Sequence, residues 1–139
     1  MSSLCFFDTN VLVYAADADE PDKQATAIAL FRSCVDAGAI LLSTQVLQEF
    51  YVTVTRKLAR PLAPALALEA MVRLAVLPLV TVTVDVIAAA AQLANRSQMS
   101  FWDALIVRAA AAGGSEVLYT EDLNHGSVVD GVRIVNPFV

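Results

Sequence analysis

The chain has 139 residues, 58% of them hydrophobic, and a formal charge of −5 from 14 acidic side chains, 9 basic ones and a neutral histidine. That length suits one domain, 1–139, with a sizeable core. The acidic balance, taken alone, argues against nucleic acid as a partner, because phosphate binding needs a basic face; it is compatible with a cation site made of carboxylates or with a basic partner. No segment reads as a membrane span, since the most apolar long window, Ala75 to Ala94, contains Pro78 and Asp85 and divides into a strand and a helix.

In chain order, short β-rich runs alternate with helical periodicity. "LCFF" (4–7) is a strand that runs into Asp8-Thr9-Asn10 and a short helix. "PDKQATAIALFRSCVDAGA" is a helix, with Pro21 near its first turn, Ile28, Phe31 and Val35 on one face, and Gly38 as its stop. Residues 40–42 form a strand. Helices follow over about 44–58 and 63–74, then a strand at 79–82 and a helix from Asp85 to Arg96. "FWDALIVRAAAAGG" is a helix ending at Gly113-Gly114, "VLY" (117–119) is a strand, and "RIV" near the end is another. Strands alternating with helices imply a parallel sheet covered on both faces. No Lys or Arg precedes Lys23, so no signal peptide is expected, and Cys5 and Cys34 in apolar contexts read as buried free thiols in a reducing cytosol.

In such a fold each crossover helix runs antiparallel to the strands. Helix starts and strand C-termini therefore share one edge of the sheet, where ligand sites form. Asp8 ends the first strand. Glu49 lies in the second turn of its helix, about 7 Å along from Thr44 at 1.5 Å rise per residue. Asp103 is in a first turn, and Glu121 and Asp122 directly follow "VLY". All five fall at that edge, whereas Asp36, Glu116 and Asp130 fall at the opposite one. Asp17, Asp19, Glu20 and Asp22 read as a solvated loop or helix-start cluster.

Each residue also has an ordinary explanation. Asp8 or Asn10 can cap the short helix, Asp103 can be a first-turn acid with Ser100 as N-cap, and Asp122 can make an Asx-turn. Glu49 is harder to dismiss, because it borders the apolar stripe of Val46, Phe50 and Val54 and can point along the sheet edge. Converging carboxylates repel one another unless protonated or cation-bound. Oxygen ligands without a Cys/His cluster suit a hard cation, Mg²⁺ or Mn²⁺. The sole histidine, His125, reads as a loop residue.

In order along the chain, "FFDTNVLVYA", "STQVLQEFY", "SFWDALIVRAAA" and "LYTEDLNHG" resemble the PIN-domain ribonucleases, in particular VapC-type toxins of toxin–antitoxin pairs. The resemblance runs from Leu4 to about Phe138. It implies a three-layer α/β/α sandwich with a central parallel sheet and a cytoplasmic, Mg²⁺-dependent endoribonuclease. Asp8, Glu49, Asp103 and Asp122 become its acidic quartet, with Asp8 and Asp103 in direct contact with the metal and Asn10, Thr120 and Glu121 in support. It also implies a homodimer and a cognate antitoxin. Arg56, Lys57 and Arg60 are a candidate RNA phosphate contact; the alternative is a solvated helix end whose cations favour its C-terminus. Two other functions compete: a receiver-like or phosphotransfer domain with an aspartate pocket, and a catalytically silent PIN fold acting as a binding module. Against the first, the only lysines are Lys23 and Lys57, neither at the expected place near the site.

Overall fold

A computed structural model describes residues 3–139. The elements are β1 (Cys5–Phe7), α1 (Thr9–Ala15), α2 (Pro21–Asp36), β2 (Ile40–Ser43), α3 (Thr44–Arg56), α4 (Pro64–Leu74), β3 (Leu79–Val80), α5 (Val84–Ser97), α6 (Phe101–Ala112), β4 (Val117–Tyr119), β5 (Val128–Val129) and β6 (Val132–Val135). The helix boundaries have local causes. Pro21 and Pro64 sit in the first turns of α2 and α4, where a missing N–H costs nothing. Ser43, Thr83 and Ser100 cap α3, α5 and α6 through their hydroxyl oxygens. Past α2, Gly38 takes φ +63°, the left-handed conformation that ends helices cheaply.

The sheet has six strands in the order β3-β2-β1-β4-β6-β5. β1 pairs in parallel with β2 on one side and β4 on the other; β2–β3 and β4–β6 are parallel too. The expectation of a parallel sheet needs one correction. β5 is antiparallel to β6, joined to it by Asp130-Gly131, both at positive φ (49° and 81°). That two-residue turn matches the strand twist, so the chain doubles back and adds an antiparallel edge. Asp130 is held there by Arg96 of α5 at 2.6 Å and Arg108 of α6 at 2.9 Å.

Strand order rises outward from β1 to β3 and then jumps across β1 to β4. The sheet therefore has a topological switch point between the C-terminal ends of β1 and β4, where adjacent crossovers diverge and leave a crevice. The core is built around the central strands: Phe6, Phe7, Leu42, Leu118 and Ile134 have no more than trace exposure. α6 is buried nearly all round through Ala104, Leu105, Ile106, Val107, Ala109 and Ala110, which explains why it reads as a continuous apolar run. Cys34 is buried, Cys5 is half-buried, and both are free thiols.

At the end of α6 the core leaves no room for a side chain. A Cβ on Gly113 would meet Leu41 Cδ2 at 2.4 Å and Val80 Cγ2 at 2.7 Å, with φ at an ordinary −83°. Gly113→Ala therefore tests packing without a backbone penalty. We expect a loss of about 1–3 kcal/mol in urea unfolding; an unchanged midpoint would show that β2 and β3 yield freely at this contact.

Candidate active site

Asp8 leaves β1 directly at the switch point. Its backbone N–H donates to the Tyr119 carbonyl of β4 at 3.0 Å, extending the β1–β4 pairing by one bond. Its side chain does two jobs. Oδ1 accepts from the Thr9 backbone N–H at 2.7 Å and caps α1, and Oδ2 accepts from the Thr120 hydroxyl at 2.8 Å. Asp8 is only 6% exposed. Burial pushes its carboxyl up to about 7; the Thr120 and Thr9 hydrogen bonds oppose that rise, and the charges of Asp122 and Glu49 add to it.

The buried Thr120 hydroxyl ties the site together. It donates to Asp8 and accepts from Asn10 Nδ2 at 3.2 Å and from the Asp122 backbone N–H at 3.1 Å, which uses its one hydrogen and both lone pairs. Asn10 Nδ2 also donates to Asp122 Oδ2 at 2.9 Å. The loop after β4 is thereby fastened to α1.

Glu49 projects from α3 and is held by Thr9 Oγ1, which donates to its Oε1 at 2.7 Å. Gln45, one turn earlier, donates from Nε2 to Glu49 Oε2 at 3.4 Å and to the Trp102 carbonyl at 3.2 Å, linking α3 to the first turn of α6. Both Nε2 contacts are acceptors, which fixes the amide orientation and leaves Gln45 Oε1 buried with no donor among the described residues. Asp103 follows Trp102, and its N–H donates to Ser100 Oγ at 3.1 Å. Burial holds the Asp103 carboxyl above its usual range; bonding to Ser100 opposes this and Asp122 and Glu49 add to it.

Asp8, Glu49, Asp103 and Asp122 all line one cleft of about 580 Å³, together with Asn10. Among the described residues none of the four is ion-paired. Glu121 points elsewhere: its carboxylate accepts from Tyr14 at 2.6 Å and pairs with Lys23 at 3.0 Å. Of the three basic residues expected to meet phosphate, Lys57 lines the cleft, Arg60 is paired with Asp19 at 2.6 Å, and Arg56 ends α3 outside the cleft lining. Within the acidic loop read as solvated, Asp17 lines the cleft and Asp19 holds that ion pair. His125 is a loop residue whose Nδ1 accepts from the Asn136 backbone N–H.

The donor set is all oxygen and its charge is unbalanced, which fits a hard divalent cation. Among the described residues no three His, Cys, Asp or Glu side chains converge as a ligand cage. Thr9, Gln45 and Trp102 are among the cleft residues not evident from the sequence. Gln45 had a signal: it sits four residues before Glu49, on the same helix face.

The fold and site together define an α/β/α domain with a carboxylate cleft at its switch point. A family model, the PIN domain, matches residues 5–130, and the chain belongs to that family. The receiver-like alternative is thereby set aside. No curated protein matches the chain in sequence. Solved structures share the fold. VapC20 of Mycobacterium tuberculosis, a sarcin–ricin loop cleaving toxin, aligns with TM-score 0.67 at 22% identity over 82% of this chain and 86% of its own. The DNA-bound VapBC complex of Salmonella typhimurium aligns at 0.68 and 18% identity over 96% and 97%. A toxin–antitoxin complex from Klebsiella pneumoniae aligns at 0.66 and 18%, over 96% and 97%.

The raised Asp8 carboxyl has a consequence for the metal-free protein. Between about pH 4 and about pH 7 the folded chain keeps a proton on Asp8 that the unfolded chain has released, so stability falls as pH rises through that window. Below it both states are protonated; above it the full cost stands, about 4 kcal/mol. We expect Asp8→Asn, in chelator, to gain urea stability at about pH 8 and much less at about pH 5. An equal effect at both would mean that Asp8 is not the group being relieved.

Proposed function

We propose that this chain is a single-domain, divalent-cation-dependent endoribonuclease and the toxin of a toxin–antitoxin pair. The observation that carries the reading is the convergence of Asp8, Glu49, Asp103 and Asp122 on one cleft, none of them ion-paired among the described residues, in a chain of the PIN-domain family. Asp8 and Asp103 would hold the cation, Mg²⁺ or Mn²⁺. When bound, such an ion would supply Lewis-acid charge toward an RNA phosphodiester and lower the pKa of a water.

The chain's own groups set the geometry. The Thr9 backbone N–H and the Thr120 hydroxyl each take one lone pair of Asp8, one on either oxygen, and Asp8 lines the cleft. Asn10 and Thr120 orient Asp122, and Thr9 with Gln45 orients Glu49, so that both are positioned before substrate arrives. Lys57 meets a phosphate farther along the strand. Carboxylates that orient a water need no histidine or lysine as general base.

A cognate antitoxin and a second copy of the chain are the partners in this reading, and both account for a mean hydropathy of +0.63 in a chain that, over its described residues, has no helix long and apolar enough to cross a membrane. The complexes formed by the Salmonella and Klebsiella relatives support the antitoxin. Sedimentation at micromolar concentration should show twice the monomer mass; a clean monomer would remove the homodimer.

The direct test is cleavage of unpaired RNA with Mg²⁺, with Mn²⁺ and in chelator. We expect cleavage only with metal, lowered at least about 100-fold by Asp8→Asn while circular dichroism is unchanged. Full activity in chelator or in Asp8→Asn would overturn the mechanism. No cleavage by the wild type in any cation would favour a silent binding module.

A further inference from the structure

Trp102 is the chain's sole tryptophan and is 62% exposed. An indole left this open to water forgoes much of its burial energy. It lines the carboxylate cleft immediately before Asp103. Phe101, half-buried against the core, meets the ring edge to face at 5.1 Å and 80°, and Gln45 fastens the Trp102 backbone carbonyl to α3. The backbone that carries the indole is thereby anchored beside the cleft, so less freedom is lost when a ligand covers it.

The charge of the cleft says what that ligand needs. Among the described residues Lys57 is the only cation lining it. Glu49 and Lys57 are eight positions apart, about 12 Å at 1.5 Å rise per residue. A strand lying there gains little from phosphate neutralisation, so an uncharged contact must supply part of its affinity. The other apolar members of the lining, the exposed Val52 among them, are aliphatic and offer no π-face, and the Tyr14 ring is half-buried and bonded to Glu121, so among the described residues Trp102 is the exposed aromatic ring of the cleft.

We propose that the Trp102 indole is the platform on which an unpaired base of the RNA strand stacks, setting the neighbouring phosphate over the carboxylates. This rests on the nuclease reading above and deepens it by naming the contact that an unpaired base makes, since a base inside a duplex has no free face to offer the ring. Loss of one base–aromatic stack corresponds to about a 5- to 150-fold loss of binding.

With one tryptophan, its emission reports on this site alone. Asp8→Asn protein in Mg²⁺ is titrated with a mixed-sequence RNA oligonucleotide and, separately, with the same strand annealed to its complement. We expect quenching by the unpaired strand and little by the duplex. In multiple-turnover cleavage, Trp102→Ala should raise KM within the range above with kcat largely kept, and Trp102→Phe should recover part of the loss. Cleavage by Trp102→Ala with unchanged KM, or equal quenching by both RNAs, would overturn the platform and leave the nuclease reading intact. A Trp102→Ala protein that cleaves normally but sediments at half the mass would show that the ring belongs to a protein interface, which also overturns it. Absence of wild-type cleavage in any cation would bring down the nuclease reading and this inference with it.

Discussion

One hydroxyl holds the site together. Thr120 follows β4, Asp8 follows β1, and the strands they leave are neighbours at the switch point of the sheet. Their 2.8 Å bond keeps a carboxylate buried where burial alone would favour its neutral form. The same oxygen receives Asn10 and the Asp122 backbone, so the ends of β1, α1 and the loop after β4 meet at one atom. A group with its whole hydrogen-bonding capacity committed in a low-dielectric setting tolerates no substitute of different valence.

This arrangement stores electrostatic tension instead of relieving it. Hydrogen bonds from Thr9 and Thr120 favour the charged form of Asp8, while desolvation and the Asp122 and Glu49 carboxylates disfavour it, and the balance leaves the carboxyl poised near neutrality. Outside the cleft some acids are ion-paired, Asp19 with Arg60, Glu69 with Arg73, Glu121 with Lys23 and Asp130 with two arginines, while others, Asp36 and Asp85 among them, stand apart in no ion pair among the described residues. What distinguishes the cleft is that four carboxylates without an ion pair share it, an arrangement whose charge a cation would balance.

Much of this is legible in the residues. Asp8 is marked by an apolar strand that runs into a carboxylate, Glu49 by its place on the border of an apolar stripe, and Asp103 and Asp122 by their positions at a helix start and a strand end. Parallel topology then brings all four to one edge without any knowledge of side-chain direction. What escapes such reasoning depends on long-range partners. Glu121 is as close in sequence to the edge as Asp122, yet Lys23 and Tyr14, about a hundred residues away, draw it off. Arg60 sits with Arg56 and Lys57 in the sequence, but Asp19 claims it. β5 is two residues long, too short for periodicity to register, although Asp130-Gly131 between apolar pairs carried the signature of a hairpin turn. Trp102 reads as one more apolar residue in an apolar helix, and only the fold shows that it faces water.

The central claim is that a divalent cation is what meets Asp8. Crystals soaked in Mn²⁺ and measured at a wavelength where manganese scatters anomalously test it most directly. The account predicts an anomalous peak in contact with the Asp8 and Asp103 carboxylates. A peak bound elsewhere on the molecule, with none in this cleft, would contradict it.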